Sequence, residues 1–115
     1  MQLLGETALK KYRVIEAPRA KKDIKRYVGY LLNVKKSNQA AQALFDDYRG
    51  TKERLSEIAG AIHNPESDKL KQRNLKRINF QKHNYFFLFR INGNTAEIVA
   101  MFHSLEDYEN KLPIN

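Results

Sequence analysis

Two side chains in the C-terminal half of this sequence have the chemistry to hold an anion or move a proton. Arg77 opens an apolar run and has no acidic residue near it in sequence, so its fork of donors is free for an anion such as phosphate. His103 closes a later apolar run, and an imidazole with a reference pKa of about 6.5 exchanges protons near neutrality. A lone histidine is nonetheless more often structural than catalytic. His63 and His83 fall at a helix end and in a turn, where they read as surface residues, and three histidines so widely spaced make a poor metal site. There is no glycine-rich phosphate loop, nucleophile elbow or metal-ligand spacing. No cofactor or metal is therefore expected, and any activity must come from the sheet face or the helical hairpin.

A second set of residues suits binding. Lys69, Lys71, Arg73, Lys76, Lys82 and Arg90 lie, with Arg77, in a stretch from Lys69 to Ala96 that contains no acid. The charge then reverses, with Glu97, Glu106, Asp107 and Glu109 against Lys111. With 21 Lys and Arg against 13 Asp and Glu the net charge is +8, which favours a nucleic acid or an acidic protein as partner. Arg90 and Glu97 should face each other across a hairpin, as an ion pair that sets register more than it adds stability.

These residues need a scaffold. At 115 residues the chain has room for one hydrophobic core, so it is expected to be a single domain over 1–115, with 1–10 a peripheral or poorly ordered extension. Hydrophobic residues at 42% and charged residues at 30% point to a globular protein rather than a membrane or disordered one. The sequence contains no cysteine and no apolar run long enough for a signal peptide or a membrane span, so a cytoplasmic location is expected.

The pattern along the chain predicts an α+β fold. Tyr12 to Glu16 alternates as a short strand, and Ala17-Pro18 suits the first turn of a helix. Ala20, Ile24, Tyr27, Val28 and Leu31 recur at helical spacing to about Val34. Ser37 can cap a second helix with a stripe of Ala41, Leu44, Tyr48, Leu55, Ile58 and Ile62, stopped by Asn64-Pro65. Together these make a long helical hairpin. A polar connection over Pro65 to Asn74 leads to three antiparallel strands, Leu75 to Gln81, Tyr85 to Ile91 and Thr95 to Phe102. The last two are joined through Asn92-Gly93-Asn94, a strong hairpin signal. The Tyr85 run is apolar on both faces and should be central. A short helix, Leu105 to Leu112, is expected at the end.

Strand parity assigns faces if each hairpin has a two-residue turn. Ile78, Phe80, Tyr85, Phe87, Phe89, Ile91, Ala96, Ile98, Ala100 and Phe102 would then share the face that receives the helices. Arg77, Phe86, Leu88, Arg90, Glu97, Val99, Met101 and His103 would lie on the opposite, open face.

In this order of elements the chain resembles the RelE/ParE toxin superfamily. The stretch Tyr12-Arg13-Val14 with Ala17-Pro18-Arg19-Ala20-Lys21-Lys22-Asp23-Ile24 looks like that family's opening strand and first helix. Leu75-Lys76-Arg77-Ile78 with Tyr85 to Ile91 looks like its central hairpin, and Ile98 to His103 with Asp107 to Leu112 like its last strand and tail. The likeness covers about residues 11 to 112.

The resemblance implies the toxin of a type II toxin–antitoxin module, neutralised by an antitoxin whose acidic, disordered segment folds onto it. Two targets follow from the two branches of the family. A RelE/YoeB-like, ribosome-dependent mRNA endonuclease would use Arg77 on the phosphate and His103 as acid or base, without a metal. Against it, Phe86 stands where many such toxins place a sheet arginine, and no carboxylate matches well; Glu66 and Asp68 are the candidates. A ParE-like inhibitor of DNA gyrase lacks the catalytic set and has a longer helical hairpin, which this sequence has. The ParE-like reading is preferred. The alternative outside the family is a basic nucleic-acid-binding module with no toxicity.

Overall fold

The computed structural model describes residues 11–113; the expectation about residues 1–10 lies outside that range. Strand β1 (Arg13–Glu16) leads into helix α1 (Pro18–Asn33), helix α2 (Asn38–Ile58) and a 3-10 turn (Ala59–Ala61). A short helix α3 (Asp68–Gln72) precedes β2 (Lys76–Asn79), β3 (Tyr85–Asn92) and β4 (Thr95–His103), and a 3-10 turn (Tyr108–Asn110) follows. The sheet order is β1-β4-β3-β2, with β1 parallel to β4 and the other pairs antiparallel. The α+β architecture is the expected one, and β3 is an interior strand. Among the described residues no helix is long and apolar enough to cross a membrane.

Local chemistry accounts for the boundaries. Ala17 is extended before Pro18, which occupies the first turn of α1, as the ring's fixed φ and missing N–H allow. The Ser37 hydroxyl accepts the Ala40 N–H at 3.0 Å and starts α2. Two features of the tail half depart from the sequence reading. The polar connection folds into α3, because Ser67 caps it by accepting from Leu70 N–H and Asn74 ends it at φ 57. Leu75 N–H then reaches back to the Leu70 carbonyl at 2.9 Å, a left-handed helix stop that needs no glycine. The expected terminal helix is reduced to the turn Tyr108–Asn110.

The faces of the sheet depart more deeply. The β2–β3 connection spans four residues between Phe80 and Tyr85, with Phe80 N–H donating to the Tyr85 carbonyl at 2.9 Å as the last ladder bond; an even number keeps parity, and Ile78 sits beside Phe87. In β4, however, Leu88 pairs with Ala100 and Phe89 with Ile98, so Val99 is an extra residue. Such a bulge reverses the side-chain alternation beyond it. Ala100 and Phe102, expected on the helix face, belong to the other one, and Met101 and His103 turn toward the helices.

The result is two apolar clusters. Against α1 and α2 lie Ile78, Phe80, Phe87, Phe89, Ala96, Ile98 and Met101. On the opposite face Phe86, Leu88, Val99, Ala100 and Phe102 are covered by Leu70 and Leu75, with Tyr108 and Leu112 of the tail packed against them. The face expected to be an open basic surface is thus largely a second core.

Candidate functional site

The sheet divides the two candidate catalytic residues. Arg77 pairs with Leu88 and so stands on the second-cluster face. Its guanidinium carbon lies 3.7 Å from the centre of the Phe86 ring and 5.9 Å from that of Tyr108, while its Nε donates to Asn79 Oδ1 at 2.8 Å. The buried Phe86 ring is the shelf under Arg77.

His103 pairs with Tyr85, which packs against the helix-face cluster. The His103 ring meets Tyr85 edge-on at 4.9 Å. Its Nδ1 accepts the Leu105 N–H at 3.1 Å, so the neutral ring carries its proton on Nε2. The structure therefore does not bring Arg77 and His103 to one site.

The binding candidates divide as well. Lys69, Lys71 and Arg73 come from α3 and its end, Lys76 donates from β2 to the Ile62 carbonyl at 2.9 Å, and Arg90 donates to the Arg73 carbonyl at 3.3 Å. These five gather around α3 and the adjoining sheet. Lys82 sits apart in the β2–β3 turn, its N–H held by Asp47 at 2.9 Å. Arg90 and Glu97 are direct partners in register, as expected, but Arg90 turns to the Arg73 carbonyl and the pair makes no salt bridge. Among the described residues no group of three or more His, Asp or Glu could hold a metal ion.

Three polar clusters escaped the sequence reading. Where β1 ends, β4 loses its neighbour on one side, and side chains take over its edge. The nearly buried Asp23 accepts the Met101 N–H at 2.9 Å, and Glu106 accepts the His103 N–H at 2.8 Å. Tyr27 donates to Glu106; burial first, then that carboxylate, pushes the phenol up to about 12. The second cluster centres on Asp47, whose carboxylate accepts from Gln81 N–H, Lys82 N–H and His83 Nδ1. Burial opposes its charge, but these donors outweigh burial and hold the carboxyl below its usual range. In the third, Lys52 pairs with Glu16. Burial again works against the Glu16 charge, and Lys52, the Tyr48 hydroxyl and Lys21 overcome it.

A signal for two of these was present. Asp23 lies on the apolar stripe of α1 beside Ala20, Ile24 and Tyr27, and Asp47 on that of α2 between Leu44 and Thr51. An acid on a buried stripe requires donors, and the sequence does not say which.

Among solved structures, one chain titled "Chromosomal ParDE TA system from P. aeruginosa" is similar, with a TM-score of 0.64 over 82% of this chain and 97% of that one, at 14% identity. That likeness is one of fold, and the fold is of the ParE/RelE type. No family model matches the chain, and no curated protein matches it in sequence.

Proposed function

We propose that this chain is the toxin of a type II toxin–antitoxin pair, that it arrests bacterial growth by binding DNA gyrase, and that a cognate antitoxin neutralises it. The ParE/RelE-type fold supports the toxin reading. The choice of target rests on one observation: Arg77 and His103 stand on opposite faces of the sheet, and Arg77 is parked on Phe86. Acid–base cleavage of RNA needs its phosphate clamp and its proton carrier within reach of the same ribose phosphate. A toxin that works by binding needs no such meeting, and the 16-residue and 21-residue arms of the helical hairpin offer a long surface for it.

Inducing the chain alone is expected to arrest growth, and the purified protein to block supercoiling by gyrase. Arg77→Ala and His103→Ala should stay toxic. Loss of toxicity in both variants, with cleaved mRNA on ribosomes, would replace this reading by the endonuclease. Unimpaired growth with good expression would sink the toxin reading itself, and salt-dependent nucleic-acid binding without arrest would point to a simple binding module.

A further inference from the structure

Between the loop at Asn64 and Pro65 and the junction of α3 with β2 lies a cleft of about 210 Å³. Its polar lining is two side-chain amides, Asn64 and Asn74, and two ammonium groups, Lys71 and Lys76, with no acid among them. Lys76 is half-buried, and its Nζ is anchored on the Ile62 carbonyl at 2.9 Å, which uses one of its three donors. The carbonyls at the end of α3 do not compete for these donors. Those of Leu70 and Lys71 already accept from the N–H groups of Arg73, Asn74 and Leu75. Glu66 and Asp68, the nearest acids in sequence, do not line the cleft.

A neighbouring cleft shares the buried Leu75 and carries Arg19, Arg90 and Glu97 on its walls. Arg19 is committed to Asp23, whereas Arg90, held on the Arg73 carbonyl at 3.3 Å, makes no salt bridge. Lys71, Arg73 and Lys76 make none either; among the described residues the paired cations are Lys11, Arg19, Arg26, Lys52, His83 and Lys111. Glu97 offsets one of the four charges, and the two adjoining clefts stay positive. Such a field draws an extended anion.

Size and lining select the kind of anion. The first cleft is smaller than the roughly 300–1,000 Å³ of sites that enclose a whole drug-sized ligand, so it takes an anionic group and not a complete nucleotide. Ammonium and amide donors suit phosphate oxygens. Among the described residues no aromatic ring lines either cleft, and Phe86 and Phe102 are fully buried, so nothing here stacks on an unpaired base. What is left is contact with a sugar–phosphate backbone, the part that a duplex turns outward.

We propose that the cleft between Lys71 and Lys76 seats a backbone phosphate of a nucleic-acid duplex, with Arg73 and Arg90 on neighbouring phosphates, and that this grip is independent of base sequence. The cleft chemistry does not rest on the toxin reading above.

The test is fluorescence anisotropy of the purified full chain with a labelled DNA duplex of about 20 base pairs, the matching RNA duplex and the single DNA strand, and with inorganic phosphate as competitor. Duplex binding should weaken with salt, with a log–log slope of about −3 to −4 for four phosphate contacts. Lys71→Ala/Arg90→Ala should bind at least roughly tenfold more weakly, with a slope shallower by about 2. Lys22→Ala/Lys35→Ala, with the same loss of charge, should bind as the parent does. Lys71 is exposed, so Lys71→Glu alone should also weaken binding and keeps the test open if Arg90→Ala fails to fold. Whichever duplex binds more tightly names the source of the phosphate, and either result supports the cleft.

The proposal is overturned if neither duplex binds, if the single strand binds more tightly than both, or if the two double variants weaken alike. It is also overturned if inorganic phosphate displaces the duplex at an equal concentration of phosphate groups, which assigns the cleft to the free ion. Growth arrest is scored separately. Arrest without duplex binding removes the cleft and leaves the toxin reading; binding without arrest does the reverse.

Discussion

The Arg77 guanidinium lies 3.7 Å over the centre of the Phe86 ring, and the sheet beneath that ring separates it from His103. A cation held flat on an aromatic face at a partly exposed site contributes about 0.5–1 kcal/mol. The same contact, with the Nε bond to Asn79, draws the guanidinium along the sheet toward the strand end where His103 sits, but on the other face.

Arg77→Ala should therefore cost about 1 kcal/mol of stability, read as a small fall in the urea midpoint, with growth arrest retained. Phe86→Ala should cost about 3–5 kcal/mol, because the ring is fully buried in the second cluster and its loss leaves a cavity. If Arg77→Ala abolishes toxicity while folding normally, Arg77 has a role beyond this stacking.

Asp47 makes the stability depend on pH in a defined direction. Its carboxyl is held below its ordinary value of 3.8 by His83 and two backbone donors, against the opposing effect of burial. A group whose folded pKa is depressed stabilises the fold above its unfolded value and loses that contribution as pH falls through the folded value. Asp47→Asn should cost about 2–3 kcal/mol near neutrality, and the gap from the parent should close below about pH 4. A gap that stays constant down to pH 3 would mean that the carboxylate charge is not what holds the β2–β3 turn to α2.

Gly60 is explained by a close approach. A Cβ built there would stand 2.1 Å from the Tyr12 hydroxyl and 3.1 Å from the ring carbon that bears it. Gly60→Ala should destabilise the protein, although alanine is the better residue for a helical turn. Tyr12→Phe removes the nearer atom, so the double variant should recover part of the loss. A double-mutant cycle with no coupling would show that the two residues do not meet.

The parts of this fold legible from sequence are those set by local rules. Ser37, Pro18 and Gly93 each act within one turn of chain, and the helix caps and the last hairpin fell where these residues put them. Gly93, at φ 63, sits in the two-residue connection between the paired Asn92 and Thr95, which is the tight turn that Asn92-Gly93-Asn94 announced. Helix α3 was missed because its single buried residue, Leu70, gives no periodicity to read; its caps, Ser67 and Asn74, are polar residues that also suit a loop.

The candidate site was misread for two reasons, the bulge at Val99 and the cover of the second face by Leu70, Leu75 and the tail. Nothing in Ile98-Val99-Ala100-Met101 distinguishes a regular strand from a bulged one, because every residue is apolar and each can face either core. One extra residue moved His103 to the helix side and placed Phe102 beneath the tail. The polar clusters are long-range in the same sense: Asp23 meets Met101, and Asp47 meets His83, only after the chain has folded back.

Asp23 shows what that folding back costs and what holds it. Beyond Ile98, β4 has no strand on the β1 side, since β1 ends with Ala17 N–H donating to the Ile98 carbonyl at 2.8 Å. The next outward amide, that of Met101, would be a buried orphan without the Asp23 carboxylate, which Arg19 and Arg26 in turn neutralise. Removing a charged acceptor from a buried donor leaves that donor's desolvation uncompensated, while the two arginines, 35% and 56% exposed, are screened by water. Asp23→Ala should cost about 2–3 kcal/mol, and Asp23→Asn less, because an amide oxygen still accepts the Met101 N–H. Native-state hydrogen exchange separates this from a general loss of packing. The Met101 amide should lose more protection than its neighbours in β4, and if all of β4 loosens equally, Asp23 acts through helix α1 and not through the strand edge.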